Sequence, residues 1–200
     1  MTSSPTPTSS HPPVVLAIMD GLGHREDNQY NAVKQARTPV LDRLDRTVPK
    51  AFLNASESAV GLPSGQVGNS EVGHMTIGAG RILKQDLVRI GDAVADDMFK
   101  TSPILDHMAS QLRHNHAAVH ILGMASDGGV HSHSDHILAL ASAMCDRGIM
   151  VWLYLFTDGR DTMPGGAAEH FDQFIKTCPA GAKIATITGR YYAMDRDQRW

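Results

Sequence analysis

Three segments of the sequence combine histidine, arginine and aspartate side chains that could bind an anion together. They are Ser126–His136, Thr157–Thr162 and Gly189–Asp197. Each follows an apolar run typical of a buried strand, and parallel α/β sheets bind ligands beyond the carboxyl ends of their strands. Arginine donates paired hydrogen bonds to carboxylate and phosphate groups. Each segment alone could be an ordinary polar loop, but three of them at successive strand ends predict one anion-binding pocket.

Two histidines of the first segment, His131 and His133, are separated by a single residue. Histidines at this spacing bind the metal in many metal-dependent hydrolases. A histidine at this place could equally hydrogen-bond a phosphate group, or cap the helix that is predicted to follow. The spacing leaves these three roles open.

Asp20 and Ser70 are two oxygen-bearing side chains that could serve a metal or a phosphoryl group. Asp20 follows the apolar run Val14–Met19, which predicts a strand buried on both faces; its carboxylate could bind a divalent cation or begin a turn. Ser70 follows a glycine-rich loop and precedes a predicted helix. It could be the N-cap, or a nucleophile placed where helix N–H groups favour a phosphoryl anion. A metal on the same oxygen would favour its alkoxide.

The elements that must position these residues alternate between helix and strand after Ile82, which predicts an α/β fold with a parallel sheet. The predicted helices lie near Asp86–Asp96, Pro103–Arg113, Asp135–Arg147 and Ala167–Lys176, and the predicted strands at Ala118–Leu122, Met150–Phe156 and Lys183–Thr188. Before Ile82, we predict strands at Val14–Met19 and Ala51–Ala55. A helix capped by Thr38 should run from Pro39 to about Arg46.

The composition excludes several classes of protein. Among the 200 residues, 42% are hydrophobic and 20% charged, so the chain can build a core. A net charge of −3 argues against nucleic-acid binding, and no apolar run approaches the ~20 residues of a membrane span. Two distant cysteines, Cys145 and Cys178, exclude a zinc ribbon and a disulfide scaffold and favour a cytoplasmic location. Residues 1–13 are almost entirely Ser, Thr and Pro, which predicts a disordered tail.

Longer motifs of the sequence resemble those of the cofactor-independent (2,3-bisphosphoglycerate-independent) phosphoglycerate mutases, a family of the alkaline-phosphatase superfamily. The resemblance covers about Val14 to Trp200. Its motifs stand in the family's order at Met19–Gly23, Gly61–His74, Ile77–Arg81, Ser126–His133, Asp158–Asp161 and Gly189–Asp197. Several long motifs in one order make this resemblance specific.

The resemblance implies a role for each candidate residue. Ser70 matches the serine that is transiently phosphorylated and that also contacts a metal. Asp20 matches a ligand of a dinuclear Mn²⁺ (or Mg²⁺) centre, and no 2,3-bisphosphoglycerate is required. The residues that match those holding the carboxylate, hydroxyl and phosphate groups of phosphoglycerate are His131, Arg160, Asp161, Arg190 and Arg196. His133 is then expected to be structural.

The resemblance also implies a domain organisation and an activity. Residues 14–81 would be the first piece of a discontinuous, metal-binding, alkaline-phosphatase-like domain, and residues 82–200 an incomplete α/β phosphoglycerate-transferase domain. The implied isomerase interconverts 3-phosphoglycerate and 2-phosphoglycerate in glycolysis and gluconeogenesis. It is expected to be a monomer whose partner is this small-molecule substrate, without nucleic acid or membrane.

Members of this family are much longer than 200 residues. The remaining Asp and His metal ligands, further substrate arginines and a catalytic lysine would lie in the part of the family's sequence that follows. The chain is therefore interpreted either as part of a mutase or as a catalytically inactive, truncated remnant that at most binds phosphoglycerate. In both cases we expect the 200 residues alone to be inactive.

Overall fold

The computed structural model describes residues 12–194 and 197–198 of the chain. Residues 1–11 of the predicted tail therefore lie outside the described residues. Contacts along the chain form two compact units, Met1–Leu53 and Asn54–Trp200. The assignment of residues 14–81 and 82–200 to two domains of the family stays a prediction.

The first unit contains two short helices, α1 (Ala32–Gln35) and α2 (Pro39–Thr47). Helix α2 confirms the helix predicted after Thr38. Pro39 occupies its first turn, where the missing N–H leaves no helical hydrogen bond unmade. The hydroxyl of Thr38 donates to the carboxylate of Asp42 at 2.8 Å rather than capping a backbone N–H.

Two predicted strands are absent from the described residues. The run Val14–Met19 is irregular and exposed, with Val14 at 95% and Val15 at 84% of full accessibility, and residues 51–55 are also irregular. Both predictions are wrong for one physical reason. A strand is held by hydrogen bonds to a neighbouring strand, and the sheet in the described part of the chain pairs other segments.

The second unit is built on a parallel sheet in the order β1-β2-β3. Its strands are β1 (Val119–Ala125), β2 (Val151–Thr157) and β3 (Ala182–Gly189). They confirm the three strands predicted after Ile82 and their parallel arrangement. The pairing of β2 with β3 shifts by one residue between Leu153 and Tyr154.

Helices precede, connect and follow these strands. They are α3 (Ser70–Ala79), α4 (Asp86–Ala95), α5 (Pro103–His114), α6 (Ser134–Asp146), α7 (Ala167–Thr177) and α8 (Arg190–Ala193), with a 3₁₀ turn at Glu57–Val60. The four helices predicted after Ile82 are confirmed within one residue at each end. No helix in the described ranges is long and apolar enough to cross a membrane.

The core of the second unit lies on one face of the sheet. Val151, Leu153 and Leu155 alternate along β2, so they share a face, and all three are fully buried. Against them pack apolar side chains of α5, α6 and α7, including Met144 and Phe174. Right-handed crossovers place α6 and α7 on the same side of parallel strands. Packing against these helices therefore holds the three strands in place.

Candidate anion-binding site

The three segments predicted to form a pocket begin at one edge of the sheet. Ala125, Thr157 and Gly189 are register partners at the carboxyl ends of the strands. The loops after them bring Ser126 and Arg190 within hydrogen-bonding distance of Asp158. A cavity of about 470 Å³ opens there, lined by Thr157, Asp158, Gly159, Arg160, Gly189, Arg190, Tyr191 and Met194.

Asp158 is the most strongly hydrogen-bonded carboxylate of this cluster, and its side chain is only 4% exposed. It accepts from the backbone N–H groups of Gly159, Arg160 and Asp161 at 2.8–3.1 Å. The hydroxyl of Ser126 donates to its other oxygen at 2.7 Å. Burial alone would raise the pKa of Asp158, but these hydrogen bonds stabilise the charged form and hold the pKa far below its usual value.

Arg190 joins the acidic residues to the histidine loop. Its Nη1 donates to Asp158 at 3.0 Å and also to Asp161. Its Nη2 lies 3.0 Å from Nε2 of His131. A guanidinium group only donates, so Nε2 of His131 is the acceptor in this contact and carries no proton. Burial by itself would lower the pKa of Arg190, but hydrogen bonds and charge from both aspartates raise it, so Arg190 is charged.

Four of the five predicted substrate residues lie in or beside this cluster. His131 is 3.8 Å from the carboxylate of Asp161, and both contact Arg190. The side chain of Arg160 is exposed and lines the cavity, while its backbone N–H holds Asp158. The fifth residue, Arg196, lies outside the described residues. The sequence therefore predicted correctly that these loops meet.

Charges within the cluster nearly cancel. Two carboxylates, Asp158 and Asp161, face the guanidinium group of Arg190, and Arg160 adds a second positive charge at the cavity wall. An entering anion consequently competes with Asp161 for Arg190. A hydroxyl group on the same ligand could in turn donate to Asp161.

Two residues of the cluster, Ser126 and Asp158, were not assigned by the sequence analysis. Each is the first residue after its strand, and Ser126 is buried. The available signal was the Asp158-Gly159 pair at a strand end. Aspartate before glycine often accepts hydrogen bonds from the next backbone N–H groups, as Asp158 does.

His133 has the capping role that was one of the alternatives for the paired histidines. It precedes α6, and its Nδ1 accepts from the backbone N–H of Asp135 at 3.2 Å. His131 instead points to Arg190. The two neighbouring histidines thus serve different partners.

Ser70 is the first residue of α3, and the helix is capped by its neighbour. The side-chain oxygen of Asn69 accepts from the N–H of Val72 at 3.0 Å, so the N-cap interpretation of Ser70 is wrong. The hydroxyl of Ser70 lies 3.2 Å from Nδ1 of His74, which is also 2.8 Å from the carbonyl oxygen of Ser70. Because a carbonyl only accepts, Nδ1 of His74 carries the proton. The exposed hydroxyl of Ser70 is thus not used in capping.

Asp20 lies in the first unit, at an exposed turn. The N–H of Leu22 donates to the carbonyl of Met19 at 3.2 Å, and Gly21 adopts a positive φ of 78°. The turn considered for Asp20 is therefore present. Among the described residues, no group of three or more His, Cys, Asp or Glu side chains could hold a metal ion. Asp20 and Ser70 are two ligand residues, fewer than Mn²⁺ or Mg²⁺ requires, so the described donors do not fit such a centre by themselves.

The fold is α/β, with a cluster of arginine, histidine and aspartate side chains at the carboxyl ends of its parallel strands, and comparison with known sequences gives its family. Residues 90–200 match the family model described as the BPG-independent PGAM N-terminus (iPGM_N). The chain is 49% identical over 191 residues to a 2,3-bisphosphoglycerate-independent phosphoglycerate mutase of Methylobacillus flagellatus, covering 94% of this chain. It is 46% identical over 200 residues to the protein of that name from Gluconobacter oxydans, covering 100% of this chain.

The chain belongs to the BPG-independent phosphoglycerate mutase family and corresponds to its N-terminal portion. It spans 37% of the length of the Methylobacillus relative and 38% of the Gluconobacter relative. The resemblance described from the motifs is thus confirmed.

Proposed function

We propose that this chain is the substrate-binding N-terminal part of a mutase that interconverts 3-phosphoglycerate and 2-phosphoglycerate. The observation that supports it best is the contact of Arg190 with both Asp161 and His131 at the cavity. Phosphoglycerate carries two anionic groups and a hydroxyl group. Arginine suits the anionic groups, and a carboxylate accepts from the hydroxyl.

In the proposed reaction, Ser70 is the phosphoryl acceptor. Its oxygen forms a bond to phosphorus as the bond from phosphorus to the 3-oxygen of the substrate breaks, and the hydroxyl proton of Ser70 ends on that 3-oxygen, leaving phosphoserine and glycerate. The 2-hydroxyl of the glycerate then takes the phosphoryl group back, and Ser70 recovers its hydroxyl. His131, Asp161 and Arg190 hold the glycerate while it reorients. Water must be excluded, because it would hydrolyse the phosphoserine.

The metal centre implied by the resemblance belongs to the longer protein in this proposal. There, Asp20 and Ser70 would each contribute one ligand to Mn²⁺ or Mg²⁺, and 2,3-bisphosphoglycerate would not be needed. The described residues do not form such a centre by themselves.

A second candidate function is phosphoglycerate binding without catalysis. The observation that favours it is that Arg160, Arg190 and His131 come together at the cavity within this chain itself. The mass of the native protein separates the two candidates. A mass well above 21.6 kDa supports the mutase, whereas a mass of 21.6 kDa supports the binding protein.

Binding of 3-phosphoglycerate to the chain tests the pocket common to both candidates. We expect a dissociation constant of about 1 mM, which corresponds to a binding free energy of roughly 4 kcal/mol. NMR titration measures it. Arg190→Ala and Arg160→Ala should each weaken binding. Arg25→Ala is the matched control, because Arg25 forms an exposed ion pair with Asp27 in the first unit. Equal affinity and equal shifts with inorganic phosphate would show that the carboxylate is not recognised.

A further inference from the structure

The loop that leads to Ser70 is hydrogen-bonded to the loop that carries His131 through Gln66. Nε2 of Gln66 donates to the carbonyl oxygen of Gly129 and lies 3.5 Å from that of Gly128. These partners are 63 and 62 residues away in sequence, and the contact is partly buried. One carboxamide thus joins two segments that the family resemblance places in different steps of the reaction.

The Ser70 side of this link is held firmly by its own contacts. The carbonyl oxygen of Gln66 accepts from the N–H of Glu57 at 3.1 Å. A side chain at Gly68 would meet the carbonyl oxygen of Ala55 at 1.7 Å, so this loop packs backbone against backbone. Val72, two residues after Ser70, belongs to a small buried cluster with Val60 and Leu62. Displacement of Gln66 would therefore displace the start of α3.

The other side of the link reaches the anion-binding cluster. Gly129 is buried and has a positive φ of 60°, which glycine adopts without strain. A Cβ at Gly128 would lie 3.1 Å from the carbonyl oxygen of Asp161. The two glycines therefore form a turn packed between Gln66 and Asp161, two residues before His131.

We propose that Gln66 is a positioning residue that couples the Ser70 loop to the anion-binding cluster. Its amide nitrogen has two N–H groups, one for each glycine carbonyl, and so fixes the separation of the two loops. A ligand that displaces Asp161 or His131 then also displaces the loop of Ser70. The identity of that ligand as phosphoglycerate depends on the proposed function, whereas the coupling itself does not.

The test compares Gln66→Glu with Gln85→Glu in the full 200-residue chain. The first change replaces the donor with a carboxylate that faces two carbonyl oxygens. In the matched control, the side-chain amide of Gln85 donates to the nearby carbonyl of Leu83 at 3.2 Å. Gln66→Met removes the donor without adding charge, and serves if Gln66→Glu does not fold.

During NMR titration with 3-phosphoglycerate, we expect the amides of residues 126–133 and 70–73 to shift in the wild type and in Gln85→Glu. In Gln66→Glu or Gln66→Met, the shifts at residues 126–133 should persist while those at residues 70–73 disappear. Persistence of the shifts at residues 70–73 in a folded Gln66 variant overturns the proposal. Their loss in Gln85→Glu as well overturns it too, because the effect would not be specific to the link.

Hydrogen exchange of the ligand-free chain separates this proposal from the proposed function. We expect faster exchange at residues 128–133 and 67–72 in both Gln66 variants and unchanged exchange there in Gln85→Glu. If 3-phosphoglycerate shifts no resonance, the proposed function fails and exchange alone decides the coupling. Equal exchange in the wild type and the Gln66 variants then overturns it.

Discussion

At the scale of single residues, Asp161 competes with an entering anion for the guanidinium group of Arg190. Its carboxylate already accepts from the guanidinium group, and its side chain is 17% exposed. A ligand without a hydroxyl group must break this ion pair and gains nothing from the carboxylate that is released. A hydroxy acid phosphate can donate to Asp161 and recover part of that loss. Asp161 should therefore disfavour simple anions.

Replacing Asp161 tests this selectivity. For Asp161→Asn, we expect tighter sulfate binding by about fivefold, which is roughly 1 kcal/mol, because the competing charge is removed. The affinity for 3-phosphoglycerate should gain less, since its hydroxyl loses a charged acceptor. NMR titration of both ligands measures the ratio. Asp172→Asn on the exposed surface of α7 is the control, and unchanged or weaker sulfate binding in Asp161→Asn would contradict the argument.

Asp158 gives a prediction for stability against pH. Its pKa is lowered in the folded state, so its contribution is present above the pKa of the unfolded chain, about 4, and is lost as pH falls through the folded value. Asp158→Asn should lower the free energy of unfolding at neutral pH by about 3 kcal/mol, because a buried charge pair loses one partner. In urea unfolding, the difference between the two proteins should begin to shrink below about pH 4 and keep shrinking as pH falls toward the folded pKa of Asp158. A difference independent of pH would count against this role.

The sequence could predict that these loops meet, but not which aspartate lies innermost. Strand ends place Asp158 and Asp161 together near Arg190, and this follows from parallel topology. The turn geometry that directs three backbone N–H groups at Asp158 is not visible in residue types. The hydrogen bonds of Gln66 could not be predicted either, because its partners are backbone carbonyls that any residue carries.

At the scale of elements, prediction succeeded where local signals and partners agree. Ser102 caps α5 by accepting from the N–H of Leu105, and Pro103 begins the helix. Both of these start signals are visible in the sequence. The run Val14–Met19 has a strand's composition, but its state depends on a partner elsewhere. Apolar composition alone therefore did not predict its conformation.

Hydrogen exchange should reflect this difference between elements. Residues 119–122 of β1 pair with β2, and Ile121 is buried in the core, so their amides should exchange slowly. Residues 15–18 are exposed and irregular, and should exchange quickly. Exchange measured by mass spectrometry on the intact chain resolves both segments. Slower exchange at residues 15–18 would reverse the expected order.

At the scale of the whole molecule, the residues assigned to the proposed reaction are distributed unevenly between the two units. The second unit holds Ser70 together with the cluster of His131, Asp161 and Arg190. Asp20 lies in the first unit, and no described group could hold a metal ion. The chain also spans only 37% of the length of its Methylobacillus relative. In the proposed function, binding of phosphoglycerate and its conversion are therefore separable properties of these 200 residues.

This separation predicts that the purified 200-residue chain binds 3-phosphoglycerate but does not convert it, even with added Mn²⁺. Phosphoryl transfer to Ser70 needs positive charge at the phosphoryl oxygens, and Arg190 already pairs with the carboxylates of Asp158 and Asp161. Formation of 2-phosphoglycerate can be followed by coupling it to enolase. Ser70→Ala is the control, because any turnover that it leaves unchanged comes from a contaminating enzyme. Turnover that Ser70→Ala abolishes would show that the chain alone assembles an active centre, and the prediction would be wrong.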